Sequence, residues 1–258
     1  MDMKQPDDIQ YHPDVHSFNT SVYSHWPNPS LGYLNSNTGS DVLNVIERFL
    51  DSPQVSVCGS VIHICLKRYP NELDIDNLVA RIRQSHSTVN VIIPTTPSGG
   101  LYPQAMYKLA SKTNGLGFFA NDERYYWAEA YMNLWEEKPY TTYSGNFNVA
   151  GNGYVTLLPS MTIFPSWCEI YVTVQDSGIV STFQNMTLTF HGSTDIATLT
   201  PENGDFRKDT NFIYHSHNFT DTNYSLTLAY QYCDSKQQTL QIRVNSWNPI
   251  DYWIPYAN

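Results

Sequence analysis

Two basic residues follow a predicted buried strand, at a place where parallel sheets commonly bind ligands. The strand is the apolar run 61–66, and Lys67, Arg68 and Tyr69 come directly after it. In open α/β sheets, ligands bind beyond the carboxyl ends of the strands. A lysine and an arginine there favour a carboxylate, a sulfate or a sugar acid, which arginine holds with paired hydrogen bonds. Lys67, Arg68 and Tyr69 are therefore the candidate binding residues.

The alternative interpretation of these cations involves the acidic residues that follow them. Glu72, Asp74 and Asp76 could form ordinary surface ion pairs with Lys67 and Arg68. A calcium site is not indicated, because the glycine and the distal glutamate of an EF-hand loop are absent. Acidic residues at this position are better explained as the start of a helix, where they interact favourably with its dipole.

The pair His215 and His217 is the other feature that suggests chemistry. If the segment is a strand, both imidazoles lie on one face and could contact Zn²⁺, but no cysteine or third histidine is near in sequence. The sequence also lacks a Gly-x-Ser-x-Gly elbow, a His-Glu-x-x-His pair, a Walker loop and a Gly-x-Gly-x-x-Gly turn. We therefore predict no metal, no cofactor and no enzyme activity, and rank an enzyme with an unrecognised carboxylate or histidine site last.

The composition limits the partners of the chain. Of its 258 residues only 15% are charged, 14% are aromatic with 19 tyrosines, and the net charge is −10. An acidic chain repels nucleic-acid phosphates and anionic membrane surfaces. No apolar run is long enough to span a membrane. A surface rich in tyrosine and uncharged polar residues is suited to binding a protein or a glycan. The sequence does not indicate an oligomeric state.

The indicators of cellular location disagree. The first residues contain no basic segment followed by an apolar one, so no secretory signal is present. Four glycosylation sequons, however, begin at Asn19, Asn185, Asn218 and Asn223, and the last three lie in the second half of the chain and are the predicted sites. Cys168 and Cys233 flank predicted strands, and a disulfide between them could cross-link the second half of the chain; the alternative is two unpaired buried thiols. We expect an extracellular protein, which implies that Met1 is not the natural start.

The elements of the first half alternate between helix and strand. Helices are predicted near 41–50, 76–82, 105–110 and 124–137, and buried strands at 61–66, 89–93 and 116–120. A short strand is predicted at 18–23, and residues 1–14 are predicted to be disordered. This alternation predicts a parallel, Rossmann-like sheet flanked by helices over residues 15–139.

The second half has only strand patterns, separated by polar turns. Predicted strands cover 154–158, 169–175, 186–190, 211–215, 225–232 and 239–245. Their spacing predicts an antiparallel β-sandwich over residues 140–258. The fold class is thus α/β followed by all-β.

A combination of short motifs in the first half resembles a known family. The segments are 37–43, 58–60, 66–72, 97–100, 106–107 and 112–115. Together they resemble a nematode-expanded von Willebrand factor A-like domain family of unknown function, in which a partial A-like domain precedes a β-domain. Members often occur beside C-type lectin or CUB modules. The resemblance implies an extracellular, non-enzymatic recognition or adhesion protein, with surface recognition or defence as its setting.

The metal-dependent adhesion site of A domains is not implied by this resemblance. That site needs an Asp-x-Ser-x-Ser loop, which is absent here, and Lys67 and Arg68 stand where an aspartate is required. The first strand is also missing, so we expect the half-domain to expose sheet edges and to fold poorly alone. A structural or matrix assembly protein, and a truncated product without independent activity, are the alternative functions.

Overall fold

The computed structural model of the protein describes residues 8–25, 30, 32–125, 140–178, 180–206 and 210–257. Its first part is a three-stranded parallel sheet with helices, and its second part is two four-stranded antiparallel sheets. The predicted order, an α/β part followed by a β-sandwich, is confirmed at this level.

Buried apolar periodicity explains the elements of the α/β part. The helices are Val15–Ser24 (α1), Val42–Leu50 (α2), Asp76–Gln84 (α3) and Pro103–Lys112 (α4), and the strands are Val61–Cys65 (β1), Thr88–Pro94 (β2) and Gly117–Ala120 (β3). The strands are parallel, in the order β1-β2-β3. Ile82 of α3 and Met106 and Leu109 of α4 are fully buried against the sheet. The helical spacing of these residues places them on one face of each helix.

The segment predicted as a short strand at 18–23 is helical, so that prediction is wrong. It lies in α1, whose N-cap is Asp14. The Asp14 carboxylate accepts a hydrogen bond from the Ser17 backbone N–H at 2.8 Å. An aspartate cap satisfies a donor that the first helical turn otherwise leaves unpaired, and this local bond outweighs the β-branched residues that follow. Tyr11, within the predicted disordered region, bonds to Ser52 at 2.5 Å.

The second part has the strand order of a jelly roll. Its strands are Tyr140–Val149 (β4), Asn152–Thr162 (β5), Ser166–Thr173 (β6), Phe183–His191 (β7), Ile196–Leu199 (β8), Phe212–Phe219 (β9), Asn223–Tyr232 (β10) and Gln238–Ser246 (β11). One sheet has the order β5-β10-β7-β8 and the other β4-β11-β6-β9. Except for β7 and β8, neighbouring strands in each sheet are not consecutive in sequence, which is typical of a jelly roll. Short 3₁₀ helices span Asp122–Arg124 and Asn203–Asp205.

Two strands of the sandwich were absent from the sequence prediction. The first, β4, alternates Tyr143, Phe147 and Val149 toward the core with polar residues on the other face, and Gly145 interrupts the alternation. A glycine and several asparagines weaken a strand pattern. The second, β8, is four residues long at a sheet edge. Both therefore give a weak signal in the sequence.

The two parts of the chain pack against each other through a third apolar cluster. Ile92 and Phe118 from the parallel sheet meet Tyr171 and Phe212 from the sandwich. The ring centroids of Phe118 and Phe212 are 4.6 Å apart in an edge-to-face arrangement. Such contacts between aromatic rings stabilise a packed interface beyond the area that they bury.

Amide side chains of the sandwich cover the edge of the parallel sheet. The N–H of Gly117 donates to Gln241 Oε1 at 3.0 Å, and the N–H of Phe119 donates to Asn211 Oδ1 at 2.9 Å. An isolated antiparallel bridge joins Ala120 to Thr210. We expected exposed sheet edges in this part, but the edge at β3 is covered by the sandwich. This cover matters because an exposed edge strand favours aggregation.

A buried arginine lies in the same interface. Arg243 is fully buried on the outer face of β11. Its guanidinium donates to the carbonyl oxygens of Asn114 (3.0 Å), Gly115 (3.0 Å) and Gly145 (2.8 Å) and to Asn146 Oδ1 (2.8 Å). Burial lowers the pKa of Arg243 to about 9, so the side chain is cationic at neutral pH. The cation is therefore held by carbonyl dipoles from both parts of the chain.

Candidate functional site

Arg68, predicted to bind an anionic ligand, is a structural residue. It is 6% exposed and donates to the carbonyl oxygens of Tyr33 (2.5 Å), Asn35 (3.0 Å) and Thr38 (2.9 Å). Its guanidinium carbon also lies 5.7 Å from the centroid of the Tyr33 ring. Because these contacts fix the preceding loop, the predicted role of Arg68 in ligand binding is corrected.

Lys67 and Tyr69 also have partners within the chain. Lys67 Nζ forms an ion pair with Asp122, rather than with the acidic residues that follow it in sequence. The Tyr69 hydroxyl donates to the carbonyl oxygen of Pro94, and the Tyr69 carbonyl oxygen accepts the N–H of Ser40 at 2.8 Å. The three predicted binding residues therefore stabilise the loops around the strand ends and do not converge on a common ligand site.

The structure contradicts the predicted disulfide, because Cys168 and Cys233 are both free thiols. Cys168 is buried in β6 beside Ser246, at the end of the sandwich where β4 begins at Tyr140. Cys233 follows β10, at the opposite end of the sandwich, where β5 begins at Asn152. The length of β4 separates the two ends by roughly 25–30 Å. A disulfide requires Cα atoms within about 7 Å.

His215 and His217 lie on β9, as the strand interpretation required. His217 Nε2 is 3.1 Å from Asp195 Oδ2, and its ring packs edge-to-face on Phe219. Among the described residues, no group of three or more histidine, cysteine, aspartate or glutamate side chains could hold a metal ion. His217 thus joins strand β9 to the loop before β8.

The neighbouring Asp221 fastens the same loop. Its carboxylate accepts hydrogen bonds from the N–H groups of Thr194 (2.7 Å) and Asp195 (2.9 Å) and from the hydroxyls of Ser193 (3.0 Å) and Thr194 (2.9 Å). The backbone bond from Thr194 is the largest cause that lowers the pKa of Asp221, to about 2. The carboxylate is therefore ionised in the folded protein well below its usual titration range.

The hydrogen bonds of Asp221 predict that the stability of the folded protein decreases in acid. A carboxylate whose folded pKa is lowered contributes stability above its unfolded pKa of about 3.9, and loses that contribution as pH falls toward the folded value. We expect Asp221→Asn to lower the melting temperature at pH 6 and to match the parent protein near pH 2. Melting curves between pH 2 and 7, with Asp251→Asn as control, measure this. An equal deficit of Asp221→Asn at both pH values would contradict it.

The three predicted glycosylation sites are exposed on the sandwich. Asn185 lies on β7, Asn218 on β9 and Asn223 at the start of β10. Their glycosylation stays a prediction. The predicted aromatic helix at 124–137 falls almost entirely outside the described residues.

A groove of about 620 Å³ runs along the free edge of β4, and we name it the edge groove. Its walls are residues 142–147 of β4, residues 158–160 and 162–164 at the end of β5, and residues 252 and 254–257 near the C-terminus, with Thr222 at one margin. In the described part of the chain β4 pairs only with β11, so its other side borders the groove. Both faces of β4 therefore contribute side chains.

A bulge in β5 shapes one wall of the edge groove. Leu157 pairs with Leu226 and Met161 with Tyr224, so residues 158–160 lie opposite the single residue Ser225. Extra residues in one strand bend it and redirect its side chains. Leu158 is consequently 78% exposed at the rim of the groove.

The C-terminal wall is held by the α/β part. The Trp253 ring stacks on His86, with centroids 4.8 Å apart and an interplanar angle of 13°. The Ala257 N–H donates to Asn114 Oδ1 at 2.9 Å. All described lining residues of the edge groove belong to residues 140–258, and the α/β part supports one wall from outside the groove.

The lining of the edge groove is aromatic and uncharged. None of its described lining residues is an aspartate, glutamate, lysine, arginine or histidine. Its rings come from both walls and from β4: Tyr143, Phe147, Phe164, Tyr252 and Tyr256. Serine and threonine hydroxyls lie among the rings. Apolar walls with a few placed polar groups are typical of small-molecule sites.

Two hydroxyl groups in the lining have no protein partner. Tyr143 and Ser144 are 3% and 9% exposed, and neither hydroxyl makes a hydrogen bond to any described residue. Burial raises the pKa of Tyr143, so its hydroxyl stays protonated and can donate. An unpaired buried hydroxyl costs about 1–3 kcal/mol, and a ligand or a water molecule that bonds to it recovers this energy.

Sequence reasoning did not find the edge groove. Its C-terminal wall is more than 80 residues from the β4 and β5 walls in sequence, and none of the walls carries a motif. The one usable signal is the aromatic cluster near the C-terminus, where Tyr252, Trp253 and Tyr256 follow the last predicted strand. That cluster has no hydrophobic periodicity and so indicates neither a helix nor a strand.

Comparisons with known proteins match part of the chain to a family model that has no assigned function. A family model described as "Domain of unknown function (DUF7154)" matches residues 145–247, which is less than half of the chain but most of the sandwich. No curated protein matches the chain. The described residues contain no helix with the length and apolar character to cross a membrane.

Solved structures share only a distant similarity. The PRD1 vertex protein P5 is 11% identical with a TM-score of 0.27, covering 41% of this chain and 72% of that one. A carbohydrate-binding module of Cellvibrio mixtus lichenase 5A, in complex with cellotriose, is 13% identical with a TM-score of 0.25, covering 43% and 92%. The P-domain of Macrobrachium rosenbergii nodavirus is 18% identical with a TM-score of 0.25, covering 41% and 87%. Scores this low carry no functional argument.

Proposed function

We propose that this chain is a non-enzymatic recognition protein and that its edge groove binds a neutral glycan without a metal ion. The observation that carries the proposal is the lining, which combines five aromatic rings with unpartnered hydroxyls and contains no charged side chain. A sugar ring has apolar C–H faces and hydroxyl edges. The exposed parts of the rings fit the faces. The Tyr143 and Ser144 hydroxyls are buried on opposite faces of β4, and they pair with the edges after the groove walls open over them.

The absence of charge in the described lining sets the ligand class. A carboxylate or sulfate entering the edge groove would lose water without gaining a cationic partner, and such an uncompensated burial is costly. An extended peptide could pair with the free edge of β4, but its charged side chains would meet the same penalty. The neutral glycan is thus the favoured ligand, and a protein ligand is the second choice.

The setting proposed for this activity is extracellular, in surface recognition or defence. The exposed sequons support it, since glycans would be accommodated at all three sites without rearrangement of the core. The strand order β1-β2-β3 follows the sequence, as in one half of a doubly wound sheet. This order supports a partial von Willebrand A-like origin for the α/β part.

Calorimetric titration with a panel of oligosaccharides tests the proposal. The panel contains neutral gluco-, manno-, galacto- and N-acetylglucosamine oligomers, each with a uronic-acid or sulfated counterpart of similar length. We expect at least one neutral oligomer to bind with a dissociation constant below about 1 mM, to bind about tenfold tighter than its anionic counterpart, and to be recovered uncleaved. Salt should not change this affinity. Binding confined to anionic oligomers, or to none, would refute the proposal.

A further inference from the structure

An exposed row of side chains crosses three neighbouring strands on the outer face of the β4-β11-β6-β9 sheet. Trp167 on β6 is paired across the strands with Asn218 on β9. On the other side, the Trp247 N–H, just after β11, donates to the Trp167 carbonyl oxygen at 3.4 Å. All three residues line one shallow depression. We name Trp167, Trp247 and Asn218 the Trp row; it spans two strand spacings, about 10 Å.

The Trp row presents large apolar area to solvent. The residues next to it in sequence, Cys168 and Phe219, are fully buried in the core, so Trp167 and Asn218 point outward. Trp167 is 57% exposed and Trp247 is 51% exposed. Adjacent exposed indole rings are unusual on a protein surface and indicate a contact site.

The asparagine of the Trp row differs from the other two predicted glycosylation sites. Nδ2 of Asn185 donates to Gln231 Oε1 at 3.2 Å, and Nδ2 of Asn223 donates to Thr222 Oγ1 at 3.1 Å. Within the described ranges, the side-chain amide of Asn218 makes no hydrogen bond. Its nitrogen is therefore available for modification without the loss of a contact.

We infer that Asn218 carries an N-linked glycan and that the Trp row holds the first sugars of this glycan against the sheet. The donor is a lipid-diphosphate-linked oligosaccharide of the secretory pathway, transferred by an oligosaccharyltransferase. Asn218 Nδ2 forms a bond to C1 of the first sugar, the bond from C1 to the phosphate oxygen breaks, Nδ2 releases one proton, and the lipid diphosphate leaves.

The register of the strands explains why this glycan lies flat. The first sugar is attached directly opposite Trp167, so its apolar face can cover the nearer indole ring, and the next sugar extends toward Trp247. Aromatic faces stack well on flat apolar surfaces. The inference rests on the extracellular setting of the proposed function but not on the edge groove, which lies at the other side of β4.

The test expresses the full chain behind a secretory leader in cells that make high-mannose glycans. Peptide mass spectrometry should find Asn218 occupied. Hydroxyl-radical footprinting should then show several-fold slower oxidation of Trp167 and Trp247 in the glycosylated protein than in Thr220→Ala, which keeps Asn218 but destroys the sequon. Trp253 lies outside the row and should oxidise equally in both. Trimming to a single sugar should keep Trp167 protected but expose Trp247.

A second pair of variants tests whether the Trp row holds the glycan or Asn218 is only its attachment site. Trp167→Ala should abolish the increase in melting temperature that the glycan gives, while Trp167→Tyr should keep most of it. A bare Asn218, with or without glycans at Asn185 and Asn223, would overturn the inference. Equal oxidation of Trp167 with and without the glycan would also overturn it. Glycan binding in the edge groove is measured on unglycosylated protein, so the two proposals fail independently.

Discussion

Arg243→Met should destabilise the protein by about 3–5 kcal/mol, the largest loss that we expect from a single substitution. Arg243 is fully buried and donates to backbone carbonyl oxygens of Asn114, Gly115 and Gly145. Methionine fills similar volume but donates no hydrogen bond, so these oxygens would remain buried and unpaired. Each such loss costs about 1–3 kcal/mol. Urea denaturation followed by tryptophan fluorescence measures the change.

The partners of Arg243 make this loss hard to avoid. A buried ion pair can often be replaced by apolar residues without loss, because both charges are removed together. Here all partners except Asn146 Oδ1 are backbone carbonyls, which no side-chain substitution removes. Arg243→Lys should be intermediate, since lysine keeps the charge but lacks the planar array of five N–H donors. A change below about 1 kcal/mol for Arg243→Met would mean that water replaces the guanidinium.

Leu158→Arg should weaken binding of the neutral oligosaccharide about tenfold or more, which corresponds to at least ~1.4 kcal/mol. Leu158 lies at the rim of the edge groove and is 78% exposed. A long cation at this position occupies the opening and adds a charge to an uncharged site. Because the side chain is exposed, the free energy of unfolding should change by less than about 0.5 kcal/mol. Titration calorimetry and urea denaturation measure the two quantities.

Ile196→Arg is the matched control for the groove variant. Ile196 is 64% exposed on β8, which lies at the opposite edge of the sheet from β5. The substitution adds the same charge and removes a similar apolar surface. It should leave the affinity unchanged. Equal weakening by both variants would show that overall charge, and not the edge groove, determines binding.

Much of the fold could be predicted because its elements are buried in a regular pattern. The strand β2 is a run of β-branched residues with apolar contacts on both faces, and α4 repeats its buried residues at helical spacing. These patterns depend only on local sequence. Helix α1 was misassigned because a single capping bond from Asp14 outweighed strand propensity. Strand β4 was missed because its outer face is polar and its centre is Gly145.

The polar interface between the sandwich and the α/β part could not be predicted from the alternation of apolar and polar residues in β11. In β11 the residues Leu240, Ile242 and Val244 point into the sandwich core, so the sequence assigns Gln241 and Arg243 to the opposite face. Alternation identifies that face but does not show whether it meets water or another part of the chain. In the structure both residues are fully buried against the α/β part.

The candidate site was harder to predict than the fold. The edge groove is formed by the free edge of β4, the nearby bulge in β5 and a C-terminal segment that is distant from both in sequence. Lys67 and Arg68, which were the candidate binding residues, instead contact loops of the same chain. Cations at strand ends satisfy loop carbonyls and carboxylates as readily as they bind ligands, and the sequence does not distinguish the two.

The most direct test of the central claim is an NMR titration of isotope-labelled protein with the tightest neutral oligosaccharide. We expect the amide shifts of residues 142–147, 158–164 and 252–257 to change in saturable fashion. Shifts confined to another surface, or none with any neutral oligosaccharide, would contradict the claim that the edge groove is a glycan site.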